Sequence, residues 1–464
     1  MRLSCCALRA RRLAAVAASC LAAFCANALA ADIRVDPSKR FQTIEGWEVT
    51  LRGWEQDKVL DRYDPTWLEN SEEAVIRLVD EAGVNRVRLE VRSGAEARTD
   101  TWRRFAQGEE TYSSWAKIRY RNVNDNDDPY TIDPEGFFWS ELDAKVEHFV
   151  LPMQARLAAR GEKLYVNFCV VDFRKGGPGS LDLAGKPEEY AELVLASFEH
   201  LKSTYGVEPD SLEIMLEPEN ADGWTANRLG PAIVAAKNRL AKAGFHPAII
   251  APSTVSARRA AQYFRTARKA GADIDVLSYH SYDWPDDGVR ADIERTARAA
   301  GASTAMLEHL KADVGEFHSD MTTANVSAWQ QWGMVGLKDD GNFLLVADLA
   351  KPEGARMRLS ARAARLSQIW RHARIGDVRI RADTSAPELR PLAFLRPGGA
   401  VALAVIVDMP REISVEGLPP GDYALEVTTR TRIAEPAGVI RVGADGLARL
   451  SMPEAGVAAL VPTR

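Results

Sequence analysis

One stretch of the chain, residues 211–254, reads SLEIMLEPENADGWTANRLGPAIVAAKNRLAKAGFHPAIIAPST. Its two apolar runs, Leu212–Leu216 and Ala248–Pro252, are short, as buried strands are. Between them, Ala226–Ala243 has the amphipathic spacing of a helix, and Gly244 stands where a helix would end. Strand, helix and strand in this order predict two parallel strands joined by a crossover helix.

The same alternation extends on both sides of this stretch, over residues 43–375. Eight strand–helix repeats predict a (β/α)8 barrel. An open doubly wound sheet is the alternative, although the chain has no G-x-G-x-x-G turn. The eight predicted strands are Ile44–Val49, Val84–Val91, Leu164–Val171, Leu212–Leu216, Ala248–Pro252, Ile274–Tyr279, Thr304–Leu307 and Val326–Val335.

The pattern changes in residues 376–464, which hold short apolar runs separated by turns such as Pro397-Gly398-Gly399. Many short strands with proline and glycine turns are typical of a β-sandwich domain. Residues 32–42 precede the barrel and contain the apolar run Ile33–Val35. We expect this N-terminal strand to join the sandwich.

The first 31 residues have the features of a cleaved secretory signal peptide. Arginines are followed by an apolar run and by Ala28-Leu29-Ala30, a small-x-small cleavage pattern. A membrane anchor is the alternative, but the run is shorter than the roughly 20 residues that a spanning helix needs. Cleavage would leave Cys169 as the only cysteine, so the protein is expected to be secreted or periplasmic without an internal disulfide.

Composition narrows the classes of function. The 464 residues are 46% hydrophobic, which is too apolar for a disordered protein. A net charge of −6 argues against a protein that binds nucleic acid through phosphate contacts. The seven histidines show no zinc-binding spacing, and no metal is predicted. Asn124–Asp128 resembles half a calcium loop, but Pro129 stands where such a loop needs glycine, so a turn-rich loop is expected.

Two glutamates end predicted strands at the same side of the barrel. Glu217 is followed by Pro218, which cannot donate a ladder hydrogen bond, and Glu308 ends the run 305–307. Two carboxylates at one barrel mouth are what glycoside hydrolysis needs. A separation of about 5–5.5 Å gives a nucleophile and an acid/base, and a wider gap gives inversion. Glu219 is the alternative candidate for the acid.

Four motifs, taken in order, resemble glycoside hydrolase family 30, in the clan of retaining (β/α)8 enzymes. Phe41–Trp47 (FQTIEGW) resembles the family's opening Q-x-I-x-G-F-G segment. Glu217-Pro218 resembles its Asn-Glu-Pro motif, and His280-Ser281-Tyr282 resembles the clan's His-x-Tyr. Glu308 ends the seventh strand, where the clan has its nucleophile.

The resemblance implies roles for individual residues. It implies that Glu217 is the acid/base and that Glu308 is the nucleophile of a retaining β-glycosidase that needs no cofactor. Arg88 resembles the clan's second-strand arginine beside the nucleophile, and Tyr282 resembles its tyrosine donor. His280 belongs to the same expected substrate site.

The chain departs from the family pattern at two positions. Leu216 stands where the clan's asparagine helps to hold the sugar 2-hydroxyl, and Glu48 replaces a glycine. Asn220 or Asn167 is a candidate substitute for the missing asparagine. Sugar rings also stack on aromatic faces. The candidates for such platforms in the cleft are Trp47, Trp284 and Trp332.

Two other functions remain open from the sequence. One is a non-catalytic carbohydrate-binding barrel, in which Leu216 marks a decayed site. The other is an unrelated barrel enzyme such as an aldolase, although the chain lacks a candidate lysine at a strand end. The preferred prediction is an exported glycosidase that acts on a poly- or oligosaccharide or a glycoconjugate.

Overall fold

The structure is a computed structural model. It describes residues 31–53, 56–58, 60–173, 180–339, 341–346 and 357–463. Apart from Ala31, the predicted signal peptide lies outside the described residues. Within the described ranges, no helix is both long enough and apolar enough to cross a membrane.

Eight parallel strands close into a barrel, which confirms the predicted fold class. The eighth strand pairs with the first, with Trp329 opposite Trp47, and so completes the ring. All eight predicted runs form barrel strands. In chain order these strands are Gly46–Thr50, Arg86–Arg92, Tyr165–Val171, Ser211–Glu213, Ala248–Thr254, Val276–His280, Ser303–Glu308 and Val326–Gly333.

Helices of varying length connect these strands. The helix Pro187–Tyr205 begins with proline in its first turn, where no amide donor is needed, and ends at Gly206 with a left-handed φ of 67°. In the described part of the chain, the other α-helices are Thr66–Glu69, Ser71–Ile76, Thr101–Ala106, Tyr112–Ile118, Ser140–Lys145, Leu151–Ala158, Ala226–Lys242, Ala257–Lys269, Asp287–Ala299, Val314–Ser319 and Ala361–Trp370.

The second domain is a sheet of nine strands that folds around its own core. Residues from both ends of the sheet, among them Leu425 and Leu450, share one apolar cluster, as the two layers of a sandwich do. The strand Ile33–Thr43 lies in this sheet and pairs with Val378–Thr384. In spatial order the strands are Glu435–Val442, Gly421–Thr429, Gly456–Pro462, Val401–Val407, Leu389–Leu395, Val378–Thr384, Ile33–Thr43, Arg411–Glu416 and Ala448–Met452.

Charged side chains fill part of the barrel interior. Glu48 and Arg86 are fully buried, and Arg86 Nε lies 2.6 Å from Glu48 Oε2. Asn167 Nδ2 donates to Glu213 Oε2 at 2.8 Å in the same interior. Burial raises the pKa of Glu48 despite the charge of Arg86. Glu48, at a position where the sequence resemblance implies a glycine, therefore serves as the partner of a buried arginine.

Replacing Arg86 with methionine is expected to lower the free energy of unfolding by about 3–5 kcal/mol, because Glu48 would stay buried without its cation. Denaturant unfolding would measure the loss. The matched control is Arg156→Met, which removes an arginine that is 38% exposed from its pair with Asp80 and should cost at most about 1 kcal/mol. Equal losses in the two variants would contradict the prediction.

Candidate active site

Glu308 is the last residue of the seventh barrel strand, and its carboxylate is held from two sides. Arg88 Nη2 lies 2.5 Å from Oε2, and the Tyr282 hydroxyl donates to Oε1 at 2.7 Å. The Glu308 side chain is only 8% exposed. These two donors, one of them a cation, pair with both carboxylate oxygens and fix the direction of the side chain.

Arg88 connects Glu308 to the barrel wall. Its Nη1 donates to the Leu307 carbonyl at 3.2 Å, and its Nε donates to Glu90 Oε1 at 3.1 Å. Burial would lower the pKa of Arg88, but the charges of Glu308 and Glu90 raise it well above the ordinary value. The arginine therefore stays charged beside the carboxylate.

Glu217 lies beyond the end of the fourth strand, which is shorter than predicted and stops at Glu213. Its backbone is left-handed, with φ 49° and ψ 62°, and Pro218 begins a single 3-10 turn that ends at Asn220. The Glu217 amide still donates to the Ser253 carbonyl of the next strand at 3.1 Å. The strand pairing thus breaks early, although the backbone remains tied to the barrel up to Glu217.

The Glu217 carboxylate has two side-chain partners. Its Oε1 lies 3.0 Å from His280 Nδ1, and its Oε2 accepts from Asn220 Nδ2 at 2.9 Å. His280 is fully buried at the end of the sixth strand. The Glu217 side chain is 12% exposed, so it can reach a bound ligand at the mouth.

The two glutamates meet across the mouth. One oxygen of Glu217, one oxygen of Glu308 and one ring nitrogen of His280 all lie within 4.8 Å of one another. Inverting pairs stand about 6.5–9.5 Å apart because a water must fit between them. The observed spacing favours the geometry of a nucleophile and an acid/base.

Glu217 and His280 shift each other's pKa in opposite directions. Burial would raise the pKa of Glu217, but the hydrogen bond and charge of His280 outweigh it and lower that pKa below its ordinary value. Burial would lower the pKa of His280, but the charge of Glu308 and the bond to Glu217 raise it above its ordinary 6.5. The two opposite shifts favour a proton on His280 and an ionised Glu217 in the free protein.

Removing His280 should therefore change the pH profile. In the wild type, kcat/KM is expected to fall on the alkaline side with a pKa above 6.5, as the pair loses its shared proton. In His280→Gln, Glu217 is the only member of the pair that can titrate. The alkaline fall in kcat/KM should therefore move to lower pH. The profile would be measured with an aryl glycoside between about pH 4 and pH 9.

The control for that profile is His309→Gln. His309 is also buried in the mouth, but its Nδ1 pairs with Glu316 at 2.8 Å and not with Glu217. An alkaline limb that stays in place in His280→Gln, or that moves equally in both variants, would contradict the shared proton.

Glu219, the alternative acid, has a different environment. Its Oε1 accepts from the backbone amide of Ser256 at 3.2 Å, at the turn after the fifth strand. Burial raises its pKa. Glu219 is absent from the close group formed by Glu217, His280 and Glu308 among the described residues.

The three predicted tryptophan platforms differ in exposure. Trp47 is fully buried on the helix-facing side of the barrel, stacks on Trp370 and donates its Nε1 to the Ala373 carbonyl at 2.6 Å. The prediction that Trp47 binds substrate is therefore wrong, because no sugar can reach its ring. Trp284 is 60% exposed, and the centre of its ring lies 4.5 Å from that of His309 in an edge-to-face contact.

Trp332 lies at the end of the eighth strand and is half-buried. The guanidinium of Arg52 lies 5.3 Å from the centre of its ring. Trp284 and Trp332 thus remain candidate platforms.

The two asparagines considered in place of Leu216 have different environments. Asn167 is fully buried, and its amide is engaged by Glu213 below the mouth, so it cannot contact a sugar. Asn220 is exposed and contacts Glu217, so it remains a candidate. Leu216 packs in an apolar cluster with Cys169 and Val171.

Two further regions bear on metals. Glu217, His280 and Glu308 are close enough to hold an ion, but Arg88 and Tyr282 already occupy the Glu308 oxygens, and a cation there would face the arginine. In the loop that resembles half a calcium site, the side chain of Asp125 accepts from the amides of Asn126 and Asp133, at 2.6 and 2.7 Å. These bonds are those of a turn-rich loop.

The sequence interpretation missed Glu90 and His309. Glu90 lies two residues after Arg88 on one strand, so the two side chains share the interior face, and this spacing could have revealed the pair. His309 supports both Tyr282 and Trp284, with ring centres 5.4 and 4.5 Å away. No local signal in the sequence marks that role.

A closed (β/α)8 barrel with a β-sandwich, joined by an N-terminal strand, is the architecture of clan A glycoside hydrolases such as those of family 30. The chain matches no protein-family sequence model, and no curated protein matches it in sequence. In structure it is similar to the catalytic domain of the family 30 xylanase C from Talaromyces cellulolyticus, with a TM-score of 0.66 and 14% identity. That match covers 93% of this chain and 100% of the other.

Two other solved structures give the same result. A family 30 endoxylanase from Clostridium papyrosolvens matches with a TM-score of 0.61 and 16% identity over 93% of this chain and 100% of that one. A family 39 enzyme from Xanthomonas axonopodis pv. citri matches with a TM-score of 0.54 and 11% identity, over 93% and 97%. The fold is therefore of the family 30 type within clan A, which confirms the resemblance found in the motifs.

Proposed function

We propose that the protein is an exported retaining β-glycosidase that acts on a poly- or oligosaccharide or a glycoconjugate. The observation that supports this most directly is the approach of Glu217 and Glu308 to within 4.8 Å at the mouth of the barrel. The different partners of the two carboxylates give them different roles. Glu308 is held by a cation and a hydroxyl, whereas Glu217 shares a proton with His280.

The reaction proceeds by double displacement. A Glu308 oxygen attacks the anomeric carbon, the glycosidic bond breaks, and Glu217 donates its proton to the leaving oxygen. Glu217 then takes a proton from water, which attacks the anomeric carbon and releases Glu308. Before the first step the proton of the pair moves from His280 Nδ1 to Glu217 Oε1 through their 3.0 Å contact, and the proton later taken from water restores the pair.

Trapping of the covalent intermediate tests the proposal. A panel of 2-deoxy-2-fluoro-β-glycosyl fluorides slows both steps, and an active member should add one fluorosugar to the protein. Peptide mapping is expected to locate the adduct on Glu308. Saccharide binding with no adduct and no turnover would instead support a non-catalytic binding barrel, and an adduct on another residue would refute the assignment.

A further inference from the structure

Four acidic side chains are buried where the segment 93–136, which follows the second barrel strand, packs on the outer helices. This acid cluster consists of Glu96 and Asp125 from the segment and of Glu189 and Glu192 from the helix Pro187–Tyr205. Their exposed fractions are 1%, 8%, 6% and 1%, in that order. Buried acids need cations or protons to balance them, so the contact between segment and helix depends on which of the two is present.

Asp125 joins the two ends of the segment. Its amide donates to Glu96 Oε1 at 3.0 Å, and its Oδ2 accepts from the amide of Asp133 at 2.7 Å. Gly136 lies so close to Asp125 that no side chain would fit between them. Any movement of the segment away from the helices would therefore carry Glu96 and Asp125 with it.

Few cations face the acid cluster. Arg239, from the next outer helix, has its Nη2 3.6 Å from Glu192 Oε1, and its Nη1 donates to the Pro129 carbonyl of the segment. Lys186 Nζ lies 3.8 Å from Glu189 Oε1, but this lysine is 54% exposed. In the described part of the chain, no other cation lies within ion-pair distance of the four acids. Arg239 is thus the one buried cation available to them.

The two helix glutamates each have a buried oxygen that lacks a hydrogen bond. Within the described residues, Glu189 Oε2 and Glu192 Oε1 accept from no donor. A buried carboxylate oxygen normally has a donor, and a neighbouring carboxylic acid can supply one when it holds a proton. The unsatisfied oxygens therefore indicate that protons balance part of the acid cluster.

The electrostatics of the cluster favours such protons. Burial raises the pKa of Glu96 to about 8, and burial also raises the pKa of Glu192 to about 8. The charges that act on these two groups come from all three elements and belong to Asp125 and Arg98 in the segment, to Glu189 in the first helix and to Arg239 in the next. The acids in this set add to the shifts and the arginines oppose them.

These raised pKa values link the contact to pH. If the segment leaves the helix, Glu96 and Glu192 become exposed and their pKa returns toward the ordinary value of 4.5. Between pH 4.5 and about pH 8 the closed contact holds protons that the open form has lost, so each rise in pH favours opening. Above about pH 8 both forms have lost these protons, and the effect levels off.

We propose that the acid cluster is a proton-dependent contact that holds segment 93–136 on the barrel helices most firmly in acid and weakens as the pH rises. Glu96 and Glu192 are the groups that hold the protons. The inference does not rest on the proposed glycosidase activity, because it concerns the position of the segment in the resting protein.

The segment connects this contact to the active site. Ser93 Oγ, at the end of the second strand, donates to the Tyr120 carbonyl at 2.9 Å. Tyr120 packs on the apolar cluster that contains Leu216, the residue before Glu217. Opening of the segment would therefore loosen the packing beside Glu217.

Hydrogen exchange of the segment amides, measured by mass spectrometry between about pH 5 and pH 8, tests the proposal. After correction for the intrinsic pH dependence of exchange, the wild type should lose protection by up to about 100-fold per pH unit, which is tenfold for each of two protons. Glu192→Gln and Glu96→Gln each keep the shape of the protonated acid and should lose only about tenfold per pH unit. The double variant should show no dependence on pH. The control Glu135→Gln, at an exposed glutamate of the same segment, should behave as the wild type.

Two results would overturn the proposal. One is protection of the segment that stays constant over this pH range in the wild type, or that falls equally steeply in the wild type and in both single variants. The other is protection that rises with pH and with added calcium and is lost with a chelator, because a bound cation would then balance the acids. The wild-type dependence decides the matter by itself if a variant does not fold. Since exchange is measured without substrate, absence of hydrolysis would leave either result unchanged.

Discussion

Replacing Glu308 with glutamine is expected to lower kcat by at least about a thousandfold, because a neutral amide cannot form the glycosyl-enzyme intermediate. Glutamine has nearly the shape of glutamate, so Arg88 and Tyr282 keep a side chain between them. The measurement is steady-state hydrolysis of whichever aryl β-glycoside the wild type cleaves. The matched control is Glu219→Gln, a glutamate of the same mouth that bonds to Ser256, and it should stay within a few-fold of the wild type.

A small external nucleophile makes the test of Glu308 sharper. In Glu308→Ala, azide can occupy the vacated space and attack the anomeric carbon directly, so activity should return with added azide. This single displacement inverts the carbon and gives the α-glycosyl azide. If Glu308→Gln remains within tenfold of the wild type, the nucleophile assignment is wrong.

The strands of the barrel were predictable because their signals are local. A buried parallel strand is a short apolar run, and each of the eight runs contains its own signal in neighbouring residues. Glu308 was predicted in the same way, since an apolar run ends at a carboxylate. The location of Glu308 at the barrel mouth then follows from the fold, because all strands of a parallel barrel end at the same mouth.

The end of the fourth strand was less predictable. Pro218 indicates where pairing must stop, but regular pairing already stops at Glu213, because the next residues turn into a left-handed backbone at Glu217. Only the neighbouring strands set that path, through bonds such as the one from the Glu217 amide to Ser253. A proline in the sequence gives an outer limit and not the boundary itself.

The error at Trp47 has a related cause. Successive side chains of a strand point to opposite faces, so Glu48 and Trp47 cannot both face the barrel interior. The buried pair of Glu48 with Arg86 fixes which of them does, and Trp47 is left on the helix-facing side against Trp370. Glu48 and Arg86 are 38 positions apart in the sequence and lie on different strands. No local sequence pattern therefore shows that they pair.

Replacing Glu217 with alanine should affect substrates according to their leaving groups. Sugars and alkyl alcohols must be protonated as they depart, so their hydrolysis is expected to fall by about 10²–10⁴-fold. Dinitrophenolate departs without a proton, so with a dinitrophenyl glycoside the first step should be little changed. The second step also needs Glu217, to take a proton from water, and the glycosyl-enzyme should therefore accumulate and give a burst of dinitrophenol.

The product formed with azide also tests the role of Glu217. It needs no deprotonation, so it should release the intermediate in Glu217→Ala and raise the rate with the dinitrophenyl substrate. Here the attack is the second of two displacements, because Glu308 is intact, and the product should be the β-glycosyl azide. The control Glu219→Ala should show neither a burst nor azide activation. An α-azide from Glu217→Ala and a β-azide from Glu308→Ala would require the two roles to be exchanged, because the glutamate that forms the covalent bond is the one whose loss inverts the product.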